Sequence, residues 1–427
     1  MIFMKKAIYN AFLNILKEEL VPAMGCTEPV AVAYAGALAK ETLGSVPEKA
    51  ELYVSGNIIK NVKSVVVPHT GGRKGLKTAL AAGILFGEAE KKLEVISGID
   101  SDITAELDGY ISSADIEVKK AESDFPFDIG VKVFSGSDSA FVRIIHRHTN
   151  VVLIEKNDET VFEKSAETDG EDAHEDRSLL TVERIVEFAD GVKIDDVKAI
   201  LDKQIEYNTA ISKAGLNGGY GAEIGKILLN SYGGSIHNRA KAWAAAGSDA
   251  RMNGCEMPVV INSGSGNQGI TASVPVIVYA RENDISSDTL YRALVVSNLV
   301  TIHLKTGIGC LSAYCGATSA GAGAGAGVCY LHGGKFEEIA HTVVNALAIN
   351  SGMICDGAKA SCAAKIASAV EAGLLGWQMY SHNSQFYGGD GIIVKGVENT
   401  IRAVSRVAHD GMRSTDDEII RLMIEND

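Results

Sequence analysis

A chain of 427 residues can bury a large core, and two domains are the natural expectation. With 46% hydrophobic and 22% charged residues it reads as a folded globular protein, not a disordered one. Its formal net charge of −14 argues against a nucleic-acid partner, because phosphate binding rests on an excess of Lys and Arg.

Lys5 and Lys6 lead into an amphipathic stretch with Asn10, Asn14, Lys17, Glu18 and Glu19, which is no signal peptide. The spacing of Ile8, Phe12, Ile15 and Leu16 predicts a helix over residues 5–19, ended by Pro22. After Gly25-Cys26, Thr27 is expected to cap a second helix, with Glu28 and Pro29 in its first turn, running to Leu43. Glu51–Val54 and Val62–Val67 read as strands, and Leu76–Phe86 as a helix. Between Ile116 and Phe162 come short β-rich runs, among them Phe141–Ile145 and Val151–Ile154. The acidic stretch Glu163–Arg177 reads as a surface loop or linker.

From Leu179 onward the pattern is mostly helical. Thr181-Val182-Glu183-Arg184 opens one helix, Asp195–Tyr207 carries another, and Ser414-Thr415-Asp416-Asp417 caps the last. The expected fold class is α+β: a mostly helical catalytic domain with a smaller mixed α/β domain inserted after the N-terminal helices. The boundaries are 1–46 for N-terminal helices packing with the catalytic domain, 47–173 for the small domain and 174–427 for the catalytic domain. Two tracts, Met257–Ala280 and Thr306–Gly334, lack Asp, Glu, Lys and Arg. Their Gly, Ser, Thr and Asn content is too polar for lipid, so they are expected to pack closely in a core. A cytoplasmic protein without a membrane partner follows.

Seven cysteines, an odd number without a secretory leader, argue against a disulfide framework. Four segments carry potential chemistry. In Gly25-Cys26-Thr27-Glu28-Pro29, a helix beginning at Thr27 would set Cys26 in its positive N-terminal field, which favours thiolate. Cys315 lies in Leu311–Gly316, and Cys355 and Cys362 lie in Ser351–Cys362. In an unbroken helix Cys355 and Cys362 would stand about 10.5 Å apart along the axis, too far for one compact cluster. Joint ligation therefore needs a break, most easily at Asp356-Gly357. Asn262–Gly269 is rich in Gly, Ser, Asn and Gln, and its N–H groups suit a small carboxylate better than a nucleotide. Read alone, the cysteines are compatible with buried core residues, and the Gly-rich segment with a plain connector. His146 and His148 are expected on a solvated sheet face, and His69 and His303 as single residues.

At these residues the sequence resembles the L-cysteine desulfidase family, related to the iron–sulfur L-serine dehydratase α chain. The likeness covers nearly the whole chain and rests on Gly25–Pro29, Ser248-Asp249-Ala250-Arg251-Met252, Asn262–Thr271, Cys315 and Ser351–Cys362. It implies a 4Fe–4S cluster on three protein cysteines with one iron open to substrate. Cys315, Cys355 and Cys362 match the ligand positions best, which leaves Cys26 as the base. The other division has Cys26, Cys315 and Cys355 as ligands with Cys362 structural. Arg251, Ser263, Gly264, Ser265, Asn267 and Gln268 would hold the carboxylate of a small amino-acid substrate. Cys255, Cys310 and Cys329 read as core cysteines. The serine dehydratase relatives carry a serine-rich motif where this chain has Gly25–Pro29, a departure that favours cysteine over serine as substrate. Three rivals stand beside cysteine desulfidation: L-serine dehydration, a pyridoxal-phosphate lyase using Lys359, and a non-catalytic metal-binding or redox-sensing protein. Homo-oligomerisation is left open.

Overall fold

The computed structural model describes residues 4–99, 103–165, 175–309 and 311–425, and its fold is α+β. The strands are β1 (Pro22–Met24), β2 (Lys49–Val54), β3 (Asp115–Lys120), β4 (Asp128–Ser135), β5 (Asp138–Ile145), β6 (Val151–Lys156), β7 (Glu159–Glu163) and β8 (Pro258–Val260). Six of them form one sheet in the order β3-β2-β4-β5-β6-β7, with β2 and β3 parallel and the other pairs antiparallel. Alternate residues of β2 are buried, so Ala50, Leu52 and Val54 face the core. Helices Thr27–Leu43 and Leu76–Phe86 pack together, and the first of them covers strands β4 and β5. The second N-terminal helix thus packs along the sheet. The first, Lys6–Glu19, meets helices of the C-terminal half, and the start of the second is tied to that half through Thr27 and Gly264 O. Strand β1 pairs with β8 and stitches the N-terminal segment to the helical part.

The run expected as a strand at Val62–Val67 is not one. Gly56–Val62 is a helix, and Val66 makes a single bridge to Lys74. Val62, Val65 and Val67 are nonetheless fully buried, and an apolar run without alternation does not distinguish a strand from another buried path. The last helix spans Arg413–Glu425, so Ser414 lies inside it and does not cap it. Asp416 instead pairs with the buried Lys60. The expected linker at Glu163–Arg177 falls partly outside the described residues, as does Cys310. Among the described residues no helix is long and apolar enough to cross a membrane.

The Gly/Ala run becomes the central helix of the helical part. Gly316–Leu331 is surrounded by helices Gly266–Glu282, Ser287–Ile308, Phe336–Ile349 and Cys362–Ser381. It is buried from Ala317 through Leu331, so small residues are what the space admits. Against Cys362–Ser381 the approach is backbone to backbone. A Cβ on Gly321 would stand 2.2 Å from Ala369 O, one on Gly325 2.3 Å from Gly373 O, and one on Gly373 2.0 Å from Gly321 O. The pairing of 321 with 369 and of 325 with 373 makes the two helices parallel, so their N-termini lie at the same end. The glycine seam thereby brings Cys315, just before one helix, beside Cys362, the first residue of the other. Gly373→Ala should lower stability by roughly 1 to 3 kcal/mol, because the clash is with rigid backbone. A fall in the thermal midpoint without change in secondary structure is the expected measurement.

Candidate active site

Four helices begin at one place. Thr27–Leu43, Gly266–Glu282, Gly316–Leu331 and Cys362–Ser381 all direct their N-termini at a cavity of about 100 Å³. Each terminus presents unpaired N–H groups and a partial positive charge, so the cavity favours anions. Its lining includes Cys26, Arg251, Ser263, Gly264, Ser265, Asn267, Gln268, Cys315, Cys355 and Cys362. The ten residues that the resemblance implies for catalysis, substrate and cluster therefore line one cavity.

The two cysteine segments are joined by backbone pairing. Cys315 N donates to Met353 O at 2.9 Å and Cys355 N to Ala313 O at 2.6 Å, with a bridge between Tyr314 and Ile354. This sets the thiols of Cys315 and Cys355 in hydrogen-bond contact. The contact holds the Cys355 thiol down to about 5, with Lys60 and Lys365 adding to the effect. The Cys315 thiol is pushed up by the same contact and by burial. Cys362 is raised by burial and reaches Gly357 O at 3.7 Å. No helix connects Cys355 to Cys362: the helix begins at Cys362 itself. Gly357 takes φ +95°, and a Cβ there would lie 2.2 Å from Lys60 O, so this turn requires glycine.

The Asn262–Gly269 segment forms a tight turn before its helix. Asn262 N donates to Ser265 O and Ser265 N to Asn262 O, each at 3.1 Å. Buried amides hold it from behind: Asn262 Nδ2 donates to Asn298 Oδ1 at 2.9 Å, and Asn298 Nδ2 to Gln204 Oε1 at 2.8 Å. Arg251 lies beneath the loop, 2% exposed. Its Nε and Nη2 have no hydrogen-bond partner among the described residues, nor do Asn267 Oδ1 and Gln268 Oε1. A Cβ on Gly266 would stand 2.3 Å from Arg251 Nε, so only glycine lets the loop lie on the guanidinium. Two cationic donors and two neutral acceptors left unsatisfied in one cavity are complementary to an α-carboxylate and an α-ammonium.

Cys26, not Thr27, is the N-cap residue of its helix. Thr27 instead donates its hydroxyl to Gly264 O at 2.9 Å, tying the helix start to the loop. The Cys26 thiol donates to Glu28 Oε2 at 3.2 Å. Burial, and then Glu28, push this thiol well up, although Arg251 opposes them. The lowering expected from the helix terminus is overridden. His148 joins the site unannounced by any sequence motif. It is 7% exposed, lines the cavity and packs edge-on against Phe127 at 4.8 Å between ring centroids, where a solvated sheet face was expected. Glu28, Asn61, Lys305 and Lys365 also line the site. Two other histidines find carboxylates: His69 lies 3.4 Å from Glu256 and His303 2.7 Å from Glu398. Cys255 and Cys329 are buried away from the cavity lining. Lys359, the Schiff-base rival, is not among the lining residues and pairs with Asp356 at 2.5 Å.

A profile of the serine dehydratase alpha chain matches residues 90–421. The chain belongs to this family. Family membership marks it as a dehydratase-like lyase. The chain is also similar to a UPF0597 protein of Desulfitobacterium hafniense, 58% identical over 416 residues and covering 97% of each chain. A UPF0597 protein of Lachnoclostridium phytofermentans is 46% identical, covering 98% of this chain and 100% of its own. One of Treponema denticola is 44% identical, covering 99% of both.

Proposed function

We propose that this chain is a 4Fe–4S-dependent lyase that takes L-cysteine and water to pyruvate, ammonia and sulfide. The observation that carries this reading is the meeting of three thiols from two remote segments with a buried guanidinium whose Nε and Nη2 are unanswered. Among the described residues no three His, Cys, Asp or Glu side chains are grouped to hold a single metal ion. A four-iron cube, whose ligands sit on separate irons, asks for a wider spacing of soft thiolates, and Cys315, Cys355 and Cys362 fit that donor chemistry. The four helix N-termini suit its negative charge. When bound, such a cluster supplies one open iron as a Lewis acid.

The protein's own groups account for recognition and proton movement. Arg251 and the first N–H groups of helix Gly266–Glu282 hold the substrate carboxylate. Asn267 Oδ1 and Gln268 Oε1 accept from the α-ammonium. The small cavity limits the side chain to one of a few atoms. Cys26 faces the same space, and once its hydrogen has passed to Glu28 the resulting thiolate can accept a proton. The Gly25–Pro29 segment, in place of a serine-rich motif, favours cysteine, while the family match keeps L-serine as the second substrate to test. Anaerobically purified protein should contain iron and acid-labile sulfide and should release pyruvate faster from L-cysteine than from L-serine. Full turnover by iron-free protein would overturn the reading.

Cys26→Ser separates the two ligand sets. If Cys26 handles a proton, the variant keeps its iron and loses turnover on the order of a hundredfold or more. Loss of iron would make Cys26 a ligand in place of Cys362.

A further inference from the structure

His148 is contributed by the sheet part of the molecule, to a cavity otherwise built mainly from helix N-termini. Strand β5 ends at Ile145, and His146 then takes φ +65°, turning the chain out of the sheet. Asn150 Nδ2 closes this turn on Ile145 O at 3.0 Å. His148 is thereby delivered under the substrate loop, where a Cβ on Gly264 would stand 3.1 Å from its Cε1. The ring is wedged against Phe127, and its Nε2 is buried without a hydrogen-bond partner among the described residues.

A buried imidazole nitrogen without a partner is costly, and such groups are retained where a ligand completes them. Here Nε2 belongs to a residue lining the same cavity as Arg251, Asn267 and Gln268, whose own free atoms match an amino acid's two charged groups. Burial lowers the imidazole's affinity for a proton, so near neutral pH the ring is in its accepting form. Three charged groups act on it: Glu28 favours the imidazolium, and Arg251 and Arg147 oppose it. The Cys26 thiol, by contrast, already carries a hydrogen committed to Glu28.

We propose that His148 is a catalytic residue, the group that takes the α-proton of the amino-acid substrate. The inference rests on the reading that this chain eliminates a β-substituent. The proton moves from the α-carbon to Nε2. The C–H electron pair becomes the new α–β double bond, and the β-carbon–sulfur pair departs with sulfide. Glu28, by opposing the charge of Arg251, eases the imidazolium that forms, and water later removes its proton.

The test uses anaerobic holoenzyme, L-cysteine and α-deuterated L-cysteine. His148→Ala should keep wild-type iron content and a KM within a few fold, while kcat falls at least about a hundredfold. Its deuterium effect on kcat should exceed that of the wild type, because proton removal becomes the slow step. Added imidazole should restore part of the rate, which a merely structural histidine would not allow. His148→Gln, closer in volume, serves if the alanine variant does not fold, with the same loss and the same rise in isotope effect. A kcat within tenfold of wild type, or a loss confined to KM, overturns the assignment. So does an unchanged isotope effect in a slow His148→Ala enzyme beside a raised one in Cys26→Ser. A wild-type holoenzyme that releases no pyruvate overturns the functional reading itself, and the inference with it.

Discussion

Cys355→Ser, purified anaerobically, should emerge nearly iron-free and without turnover, while Cys255→Ser and Cys329→Ser keep both. Cys315, Cys355 and Cys362 are the thiols that face the cavity from the Cys315 and Ser351–Cys362 segments. Cys255 and Cys329 are buried but contribute nothing to the lining. A serine hydroxyl is a hard, protonated donor near neutral pH, and iron–sulfur clusters require soft thiolate. Three ligands leave no reserve, so removing one should be felt in full. Folding should survive: a chain of 427 residues with a large apolar core does not need a metal to reach net stability. The measurement is iron and acid-labile sulfide per chain, with circular dichroism to confirm the fold. Retention of iron at the wild-type level in Cys355→Ser would remove this cysteine from the ligand set.

Much of this site is legible along the chain because its parts are local. The cysteine just before helix Thr27–Leu43, the Gly-rich Asn262–Gly269 segment, and the need for a break between Cys355 and Cys362 are read from short windows, whereas the helix starts at Gly266, Gly316 and Cys362 are not. What escaped depends on distant contacts. The two-residue pairing of Ala313–Cys315 with Met353–Cys355 joins segments about forty residues apart, through no pattern that either shows alone. His148 escaped because alternation places it on the outer face of an extended strand, and the strand stops at Ile145. Cys26 shows how magnitudes decide. A helix terminus contributes about 1 kcal/mol, less than one unit of pKa. Full burial moves an ionisable group by up to 3–5 units. With the thiol 1% exposed and hydrogen-bonded to a carboxylate, burial wins. The Val62–Val67 error is of another kind: the valines are core residues, but their path is set by helix Gly56–Val62 abutting the last helix.

Arg251→Met should weaken substrate use on the order of a hundredfold in KM and yet leave the ligand-free protein as stable as before, or more so. The guanidinium is 2% exposed, and its Nε and Nη2 have no partner among the described residues. A buried cation with unsatisfied donors lowers stability, and replacing it by an apolar side chain of similar length removes that penalty. Nothing in folding therefore explains why it is there, whereas a carboxylate ligand does. Two charge-assisted hydrogen bonds to a substrate carboxylate contribute about 3 kcal/mol together, which is roughly a hundredfold in affinity. Arg251→Lys should recover little, since one ammonium cannot present the planar pair of donors that a carboxylate accepts. The thermal midpoint of ligand-free protein and the KM for L-cysteine, measured on the same preparations, should move in opposite senses of fitness. A variant that loses stability and substrate affinity together would mean that Arg251 is held by the fold for its own sake, and the carboxylate would have to be sought at the helix N-termini alone.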